Sequence, residues 1–181
     1  MEIRPLRLDG TFEITLKPNG DARGYFMRSY DRLIFENAGL QTDWVQENQS
    51  LSRAPHTIRG LHYQRPPHAE TKLVRVVCGA VLDVFVDLRR DSATYGQWDS
   101  VELAADRHNM AYIPRGFAHG FCTLTEEAVV QYKVDNAYAP DHENGILWND
   151  PTIAINWPSS EPVISDRDGK LQFFDDLISP F

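Results

Sequence analysis

Cysteine is scarce in this sequence: Cys78 and Cys122 are the only two among 181 residues. Two cysteines cannot build the dense disulfide framework of small secreted domains, and neither stands at the spacing of a metal site. Both lie in apolar runs, which is typical of buried thiols. We therefore expect two buried, reduced thiols, with a Cys78–Cys122 disulfide as the alternative.

Long uncharged hydrophobic segments are missing as well. No stretch is long enough to cross a bilayer as a helix, and the N-terminal segment lacks the apolar centre of a signal peptide. We expect a cytoplasmic protein without a membrane partner.

An excess of basic residues is also absent, because 18 lysines and arginines stand against 26 aspartates and glutamates, giving a net charge of −8. This balance argues against nucleic acid as a partner but leaves room for a local basic pocket that binds a phosphorylated small molecule. With 42% hydrophobic and 24% charged residues, the chain has the composition of a soluble globular protein. Its length predicts a single domain over residues 1–181.

Short strands account for most of the regular pattern. In "TFEITL" the apolar residues Phe12, Ile14 and Leu16 alternate onto one face, and "VLDVFVDL" does the same from Leu82 to Leu88. A turn at residues 78–79 separates that run from "LVRVV". Further short runs, divided by Gly, Pro, Asn and Asp, are "GQWDSVEL", "NMAYIP", "HGFCTL" and "AVVQYKV". Such a series predicts a β-sandwich or barrel.

One helix is predicted, over residues 30–38. Ser29 is the expected N-cap, and Gly39 lies just past the expected end. The tail after Pro158 has no strong period and is expected to form loops with a short terminal turn or helix.

The stretch "TIRGLHYQRPPHAETKLVRVVCG" raises the question of a metal site. His62, His68, Glu70 and a later His119 are possible ligands. The Pro66–Pro67 pair breaks any strand register between the first two histidines, however, so His68 has no assured direction. We interpret His68 and Glu70 as solvated loop residues.

His62 stands at the start of a strand, where Gly60 allows a close backbone approach. Lys72 shares a strand face with apolar Val74 and Val76, so alternation predicts that its ammonium points into the barrel. Tyr132 likewise shares a face with two valines in "VVQYKV". The pattern alone does not decide between a cavity tyrosine and an edge tyrosine with a wet hydroxyl.

Several ordered motifs together resemble one enzyme family, the nucleotide-diphospho-4-keto-6-deoxysugar epimerases of the dTDP-4-dehydrorhamnose 3,5-epimerase type. The motifs are "IRGLHYQ", "KLVRVVCGAVLDVFVDLRRDSATYGQW", "IPRGFAHGF", "YAPDHENGILWNDP" and "VISDRD". The resemblance runs from "DARGYF" to "SDRD". It implies a mainly β, cupin-type jelly-roll barrel, a homodimer, a nucleotide-diphosphate sugar as substrate, and catalysis without metal or other cofactor.

The chemistry of that family needs a base, an oxyanion stabiliser and an acid on the opposite face of the sugar ring. The ketone at C4 acidifies the hydrogens at C3 and C5, because the carbanion delocalises as an enolate. The resemblance implies His62 as base, Asp168 as its hydrogen-bonding partner, Lys72 as the enolate stabiliser and Tyr132 as the acid. A free imidazole, with a pKa of about 6.5, suits proton removal near neutral pH.

The same resemblance implies a set of substrate-binding residues. Arg59 and His119 match positions that hold the diphosphate, and Arg23 matches a phosphate contact from the partner subunit. Arginine suits this task because its fork donates to two phosphate oxygens at once. The other implied contacts are Gln46 and Asn48 along the pocket, Phe26 stacked on the base, and Tyr138 donating to phosphate.

The sequence departs from the family pattern after "RGYF". Met27 and Arg28 stand where a small apolar residue and a glutamate are common, so Arg28 puts a cation near the expected base-binding corner. A GDP- or CDP-linked sugar therefore stays open beside a dTDP-linked one. The tail after Asp168 also lacks the usual "AP". Relatives that invert C3 or C5 alone share the catalytic pair, so one inversion remains an alternative to two.

Two hypotheses from other functional classes remain. The first is a metal-dependent cupin enzyme, such as a dioxygenase, that uses His62, Glu70 and His119 as ligands. The second is a sugar-nucleotide-binding module without catalysis. It is disfavoured because all four catalytic positions hold chemically competent residues.

Overall fold

Antiparallel strands make up most of the regular structure of residues 1–181, all of which the computed structural model describes. The strands are β1 (Glu2–Pro5), β2 (Phe12–Thr15), β3 (Asn19–Asp21), β4 (Gly24–Phe26), β5 (Gln46–Ser52), β6 (Ile58–Gln64), β7 (Lys72–Cys78), β8 (Ala80–Asp87), β9 (Trp98–Ala104), β10 (Asn109–Ile113), β11 (Phe117–Thr123), β12 (Ala128–Val134) and β13 (Glu143–Gly145). One α-helix, α1 (Arg32–Asn37), and three 3-10 helices complete the set; the latter span Pro140–His142, Asp168–Lys170 and Phe174–Asp176.

Two sheets face each other across the main core. One has six strands in the order β1-β2-β10-β7-β12-β5, and the other has five in the order β13-β6-β11-β8-β9. Strands β3 and β4 form a separate hairpin. This jelly-roll arrangement confirms the predicted mainly β fold.

The space between the sheets is filled by alternate residues of both. Val74 and Val76 of β7 pack with Phe85 of β8 and Leu103 of β9 in a cluster of 13 buried residues. Complete burial of a side chain such as Phe85 contributes on the order of 2 kcal/mol to the free energy of unfolding. Lys72 is the first residue of β7 and points to the same side as these valines, where the cavity opens.

The outer face of each sheet is covered by other segments. On the five-stranded sheet, the predicted face of "VLDVFVDL" packs against C-terminal residues such as Ile153 and Phe181. On the six-stranded sheet, Ile14 and Leu16 pack against Phe35 of α1, as the alternation in "TFEITL" predicts. The covering segments therefore turn apolar side chains toward the sheet beneath them, and part of the outer face of each sheet is shielded from solvent.

The helix is shorter than predicted and begins at a different cap. Asp31, not Ser29, is the N-cap, and its side chain accepts hydrogen bonds from the N–H groups of Leu33 and Ile34. Tyr30 stays outside the helix, where its ring packs edge-on against Phe35. The predicted end is close, because Ala38 is the C-cap and Gly39 follows with φ +70°.

The two thiols are both free, as expected, but only one is buried. Cys122 lies inside β11, and burial raises the pKa of its thiol to about 11. Cys78 is exposed, which corrects its predicted burial: it ends β7 at the turn, where Gly79 takes φ +73° and the chain leaves the core. None of the helices has the length and apolarity that a bilayer crossing requires.

Candidate active site

A cavity of about 310 Å³ opens between the two sheets, and a recess of about 80 Å³ adjoins it. His62, Lys72 and Tyr132 line both. Of the other predicted site residues, the cavity takes Arg59, His119 and Asp168, and the recess takes Gln46, Asn48 and Tyr138. Nine of the twelve residues singled out from the sequence thus lie around one space, although their roles stay predictions.

His62 and Asp168 form a hydrogen-bonded pair although 106 residues separate them. The His62 Nε2 atom lies 2.9 Å from Asp168 Oδ1, and the second carboxylate oxygen accepts the N–H of Gly60 at 3.1 Å. A bridge between Thr57 and Val163 brings the C-terminal segment alongside β6. A carboxylate at Nε2 favours the tautomer with the proton on Nε2, which leaves Nδ1 free to accept a proton.

The charge state of Asp168 follows from these contacts. Burial disfavours its ionised form, but the hydrogen bond and attraction of His62 and the N–H of Gly60 outweigh burial. They hold the pKa of this carboxyl below its usual value. Asp168 is therefore an anion at neutral pH and can stabilise an imidazolium on His62.

Gly60 owes its identity to a close backbone approach, as expected from the sequence. Its φ is +128°, and a Cβ at this position would lie 2.5 Å from the Cα of Gly120 on β11. A side chain would push β6 away from β11 and move both His62 and His119, which face each other in the register of the two strands.

Lys72 lies where alternation places it, with its side chain 10% exposed at the cavity wall. Its Nζ atom is 3.3 Å from Glu70 Oε1, and the other carboxylate oxygen accepts the Nε2 amide of Gln64 at 2.9 Å. The interpretation of Glu70 as a solvated loop residue is therefore wrong. The loop after the two prolines folds back over the end of β6, because Gln64 and Asn136 bond its carbonyl oxygens.

His68 also departs from its expected place. Its ring lies half-buried against His142, with 4.4 Å between the ring centroids. It lines neither the cavity nor the recess, so it is a partly buried loop residue outside the site rather than a solvated one.

Tyr132 stands in the middle of β12, opposite Asn48 of β5 and Val74 of β7. Burial raises the pKa of its phenol, and the negative charges of Glu70 and Glu143 raise it further. The hydroxyl thus carries its proton at neutral pH. Between the two interpretations left open by the sequence, the structure favours the cavity tyrosine over the wet edge tyrosine.

Arg59 and His119 lie on neighbouring strands of the five-stranded sheet. Arg59 donates to the Ser52 hydroxyl and to the Leu51 carbonyl oxygen, both at 3.1 Å. His119 Nε2 lies 2.8 Å from the carboxylate of Asp83, which is fully buried. Sequence reasoning missed Asp83, but its signal was there: alternation in "VLDVFVDL" puts it on the cavity side, opposite the apolar face.

The recess contains a polar network that the sequence did not predict. Tyr138, expected to donate to phosphate, donates its phenolic proton to Glu143 Oε2 at 2.5 Å, and Arg167 Nη2 reaches the same oxygen at 2.6 Å. Burial opposes ionisation of Glu143, but these two partners lower the pKa of its carboxyl overall. Gln46 bonds Asn48 at 2.9 Å and the N–H of Tyr138 at 3.3 Å.

Three predicted binding residues lie outside the cavity of their own chain. Arg23 is 90% exposed on the β3–β4 hairpin and pairs with Asp21, and Phe26 is 71% exposed at the end of β4. Arg28 bonds the N-cap Asp31 at 2.8 Å. A contact between any of them and a ligand in this cavity would need a second subunit or a rearrangement.

The residues proposed as metal ligands are each engaged by another partner. His62 and His119 have their Nε2 atoms on carboxylates, and Glu70 bonds Lys72 and Gln64. No group of three or more His, Cys, Asp or Glu side chains in the chain is arranged to hold a metal ion. The donor set therefore fits proton transfer better than metal binding.

Comparison with known proteins agrees with the geometry. The family model described as dTDP-4-dehydrorhamnose 3,5-epimerase matches residues 5–176. A protein of that name from Shigella flexneri is 48% identical over 158 residues, which is 87% of each chain. A crystal structure of the Bacillus anthracis enzyme of that name, with TDP and PPi bound, has a TM-score of 0.93 at 44% identity and covers 95% of this chain and 98% of its own.

A second solved structure contains a sugar nucleotide. It is a dTDP-6-deoxy-D-glucose-3,5-epimerase from Legionella pneumophila in complex with dTDP-4-keto-L-rhamnose, with a TM-score of 0.92 at 38% identity, covering 97% of this chain and 94% of its own. The match extends over nearly the whole of both chains and includes the barrel that carries the His62–Asp168 pair. This chain therefore belongs to the dTDP-4-dehydrorhamnose 3,5-epimerase family.

Proposed function

We propose that this chain inverts C3 and C5 of dTDP-4-dehydro-6-deoxy-D-glucose to give dTDP-4-dehydro-L-rhamnose, using its own side chains for each proton transfer. The family assignment supports the reaction class. The observation that supports the mechanism is the His62–Asp168 pair, because it faces the same cavity as Lys72 and Tyr132.

The two sheets supply groups for opposite faces of the sugar ring. His62 lies on β6 of the five-stranded sheet, and Tyr132 lies on β12 of the six-stranded sheet. The Nδ1 atom of His62 takes the carbon-bound proton next to the ketone, and Asp168 stabilises the imidazolium that forms. Tyr132 then donates its proton to the other face of the carbon, which inverts the centre.

Lys72 stabilises the enolate between these two steps. Its ammonium stands at the cavity wall, where the low exposure strengthens its attraction for a developing negative charge on the ketone oxygen. The reaction needs no net oxidation, because one proton leaves and another arrives at the same carbon.

The diphosphate belongs near Arg59 and His119, on the same side of the cavity as Arg167. Gln46 and Asn48 line the adjoining recess, and Tyr138 would turn from Glu143 to phosphate when the substrate binds. The guanidinium groups of Arg59 and Arg167 suit a diphosphate because each carries a positive charge and donates hydrogen bonds to phosphate oxygens directly.

A homodimer would complete the site. Arg23 and Phe26 are exposed on a hairpin that does not reach their own cavity, so a partner's cavity is the place where they would contact phosphate and base. Arg23→Ala should raise KM with little change in kcat, and the protein should run as a dimer in light scattering. A monomer with full activity would contradict this part of the proposal.

The exposed free thiol of Cys78 fits a reducing, cytoplasmic compartment.

The nucleobase and the number of inversions need a direct test. Arg28 is bonded to Asp31 rather than offered to a base, which favours the dTDP-linked substrate over a GDP- or CDP-linked one. The purified protein should be incubated with each of the three ketosugars, and the product configuration read by NMR. We expect inversion at both carbons of the dTDP-linked sugar alone. Turnover of the GDP- or CDP-linked ketosugar instead of the dTDP-linked one would refute the choice of nucleobase. Failure to turn over any of the three ketosugars would refute the proposed function.

A further inference from the structure

Glu70 is a largely buried carboxylate at the wall of the recess, and it has no role in the reaction described above. Its side chain is 12% exposed, and its two oxygens have different partners. One lies 3.3 Å from Lys72 Nζ, and the other accepts the Gln64 amide at 2.9 Å. The carboxylate therefore links the enolate-stabilising lysine to an anchor on β6.

That anchor is fixed more firmly than a surface side chain. Gln64 is 3% exposed, and its Nε2 atom also lies 3.0 Å from the carbonyl oxygen of His68 and 3.2 Å from that of Ala137, so its two N–H donors are shared among three acceptors. Its Oε1 atom accepts the N–H of Ala139 at 2.6 Å. Gln64 thus joins β6, the loop that carries Glu70 and the segment before β13, so the position of the carboxylate is set by three parts of the fold.

We propose that Glu70 is a positioning residue of this site: its carboxylate, anchored by Gln64, directs the Lys72 ammonium toward the cavity and places a negative charge in the recess that Tyr132 also lines. The inference rests on the proposed function, since it assigns a task to the groups named there. One of the three ammonium hydrogens points at Glu70, which leaves the other two for the ketone oxygen of the substrate.

The effect on Tyr132 follows from the charges around its phenol. Burial is the main cause that raises its pKa, and Glu70 and Glu143 add to the increase, whereas Asn48 and Arg59 oppose it. The ionisable groups that share its cavity and recess come from β6, β7 and the loop before it, β11, β13 and the segment before it, and the C-terminal segment. They are Arg59, His62, Tyr63, Glu70, Lys72, His119, Tyr138, Glu143, Arg167 and Asp168. Lys72 alone would favour a phenolate. The negative charge of Glu70, 3.3 Å from the ammonium, offsets the positive charge of Lys72, so the Tyr132 phenol keeps its proton.

The test is Glu70→Gln, which preserves the size of the side chain and removes its charge. We expect the alkaline limb of the pH profile of kcat to move down by about one pH unit, the size that one nearby charge produces. Glu70→Asp, which restores the charge, should bring the limb back toward the parent position. An unchanged alkaline limb in a folded Glu70→Gln variant would overturn the inference.

A matched control comes from the outer face of the six-stranded sheet, on the neighbouring strand β5. Glu47 pairs with Lys133 at 2.8 Å, next to Tyr132 along β12, but it lies on the outer face and is 44% exposed. Glu47→Gln should leave the pH profile unchanged. A shift equal to that of Glu70→Gln would show that any carboxylate nearby has the effect and would overturn the specific role of Glu70.

A second readout needs no turnover. Phenolate formation is followed by ultraviolet absorbance as the pH rises. The difference between this titration and that of Tyr132→Phe gives the contribution of Tyr132 alone among the seven tyrosines. Titration of Tyr132 at lower pH in the Glu70→Gln background supports the inference even if the protein turns over none of the ketosugars, in which case the proposed function alone fails. Identical titration in both backgrounds overturns the inference while leaving the proposed function standing.

Discussion

Replacing Asp168 with asparagine should disable the base without removing it. The amide has one oxygen where the carboxylate has two, and both carboxylate oxygens are used: Oδ2 accepts the N–H of Gly60, and Oδ1 faces His62 Nε2. If the amide oxygen stays on Gly60, its NH2 group donates to Nε2. The imidazole then carries its proton on Nδ1, which can no longer accept one from the substrate.

The opposite orientation of the amide restores the tautomer at a cost. The buried N–H of Gly60 then faces an NH2 group and has no acceptor, which costs about 1–3 kcal/mol. The imidazolium also loses a charged hydrogen-bond partner, worth about 1.5–3 kcal/mol. Together these amount to about 4 kcal/mol, or about a thousandfold in kcat.

The assay is the initial rate of inversion for Asp168→Asn, with thermal unfolding to show that the variant is folded. Asp166→Asn is the matched control, because it makes the same change two residues away on an exposed side chain that does not line the cavity. We expect the control to keep parental activity. A folded Asp168→Asn variant within tenfold of the parent would refute the account of the His62–Asp168 pair.

Three further changes test other parts of the structure. Lys72→Met should lower kcat about 100- to 1,000-fold, as expected for loss of an oxyanion-stabilising group; a loss below tenfold in initial rate contradicts that role. Tyr132→Phe should slow inversion, measured by NMR, more than it slows the exchange of carbon-bound hydrogen with solvent, because His62 still removes the proton. Equal losses of inversion and exchange would contradict the role of Tyr132 as the acid. Asp87 is buried, which disfavours its charge, but hydrogen bonds from Arg89 and two hydroxyls outweigh burial and lower its pKa to about 2. Asp87→Asn should therefore lower the free energy of unfolding by about 2 kcal/mol above pH 4 in urea titrations, and the difference should disappear as the pH falls toward 2; a difference that persists there contradicts it.

Strand alternation predicted the parts of the site that strands carry. Lys72 follows the period of two set by Val74 and Val76, so its direction into the barrel could be read from the sequence. The same period put Tyr132 on a face with two valines but did not decide between the cavity and a wet edge. The same period of two identifies the residues of "VLDVFVDL" that face away from the barrel, of which Leu82 is the first. The rule works because successive side chains of a strand must point to opposite faces, whatever the rest of the fold does.

Loops offered no such rule, and the errors lie there. The direction of Glu70 depends on hydrogen bonds from Gln64 and Asn136, which meet its loop only in the folded chain. The helix cap was ambiguous because Ser29 and Asp31 are both good N-cap residues, and the choice depends on where Tyr30 packs. Composition and spacing alone could not have paired His62 with Asp168, because the pair forms across most of the chain and only the family resemblance indicated it.

The measurement that tests the central claim most directly is deuterium uptake by the sugar in heavy water. The parent protein and His62→Ala are incubated with dTDP-4-dehydro-6-deoxy-D-glucose, and carbon-bound deuterium is counted by mass spectrometry. We predict two deuterium atoms per sugar with the parent and none above the enzyme-free background with His62→Ala, whose affinity for the substrate should change little. Deuterium uptake by His62→Ala at the parental rate would contradict the claim that His62 removes the proton.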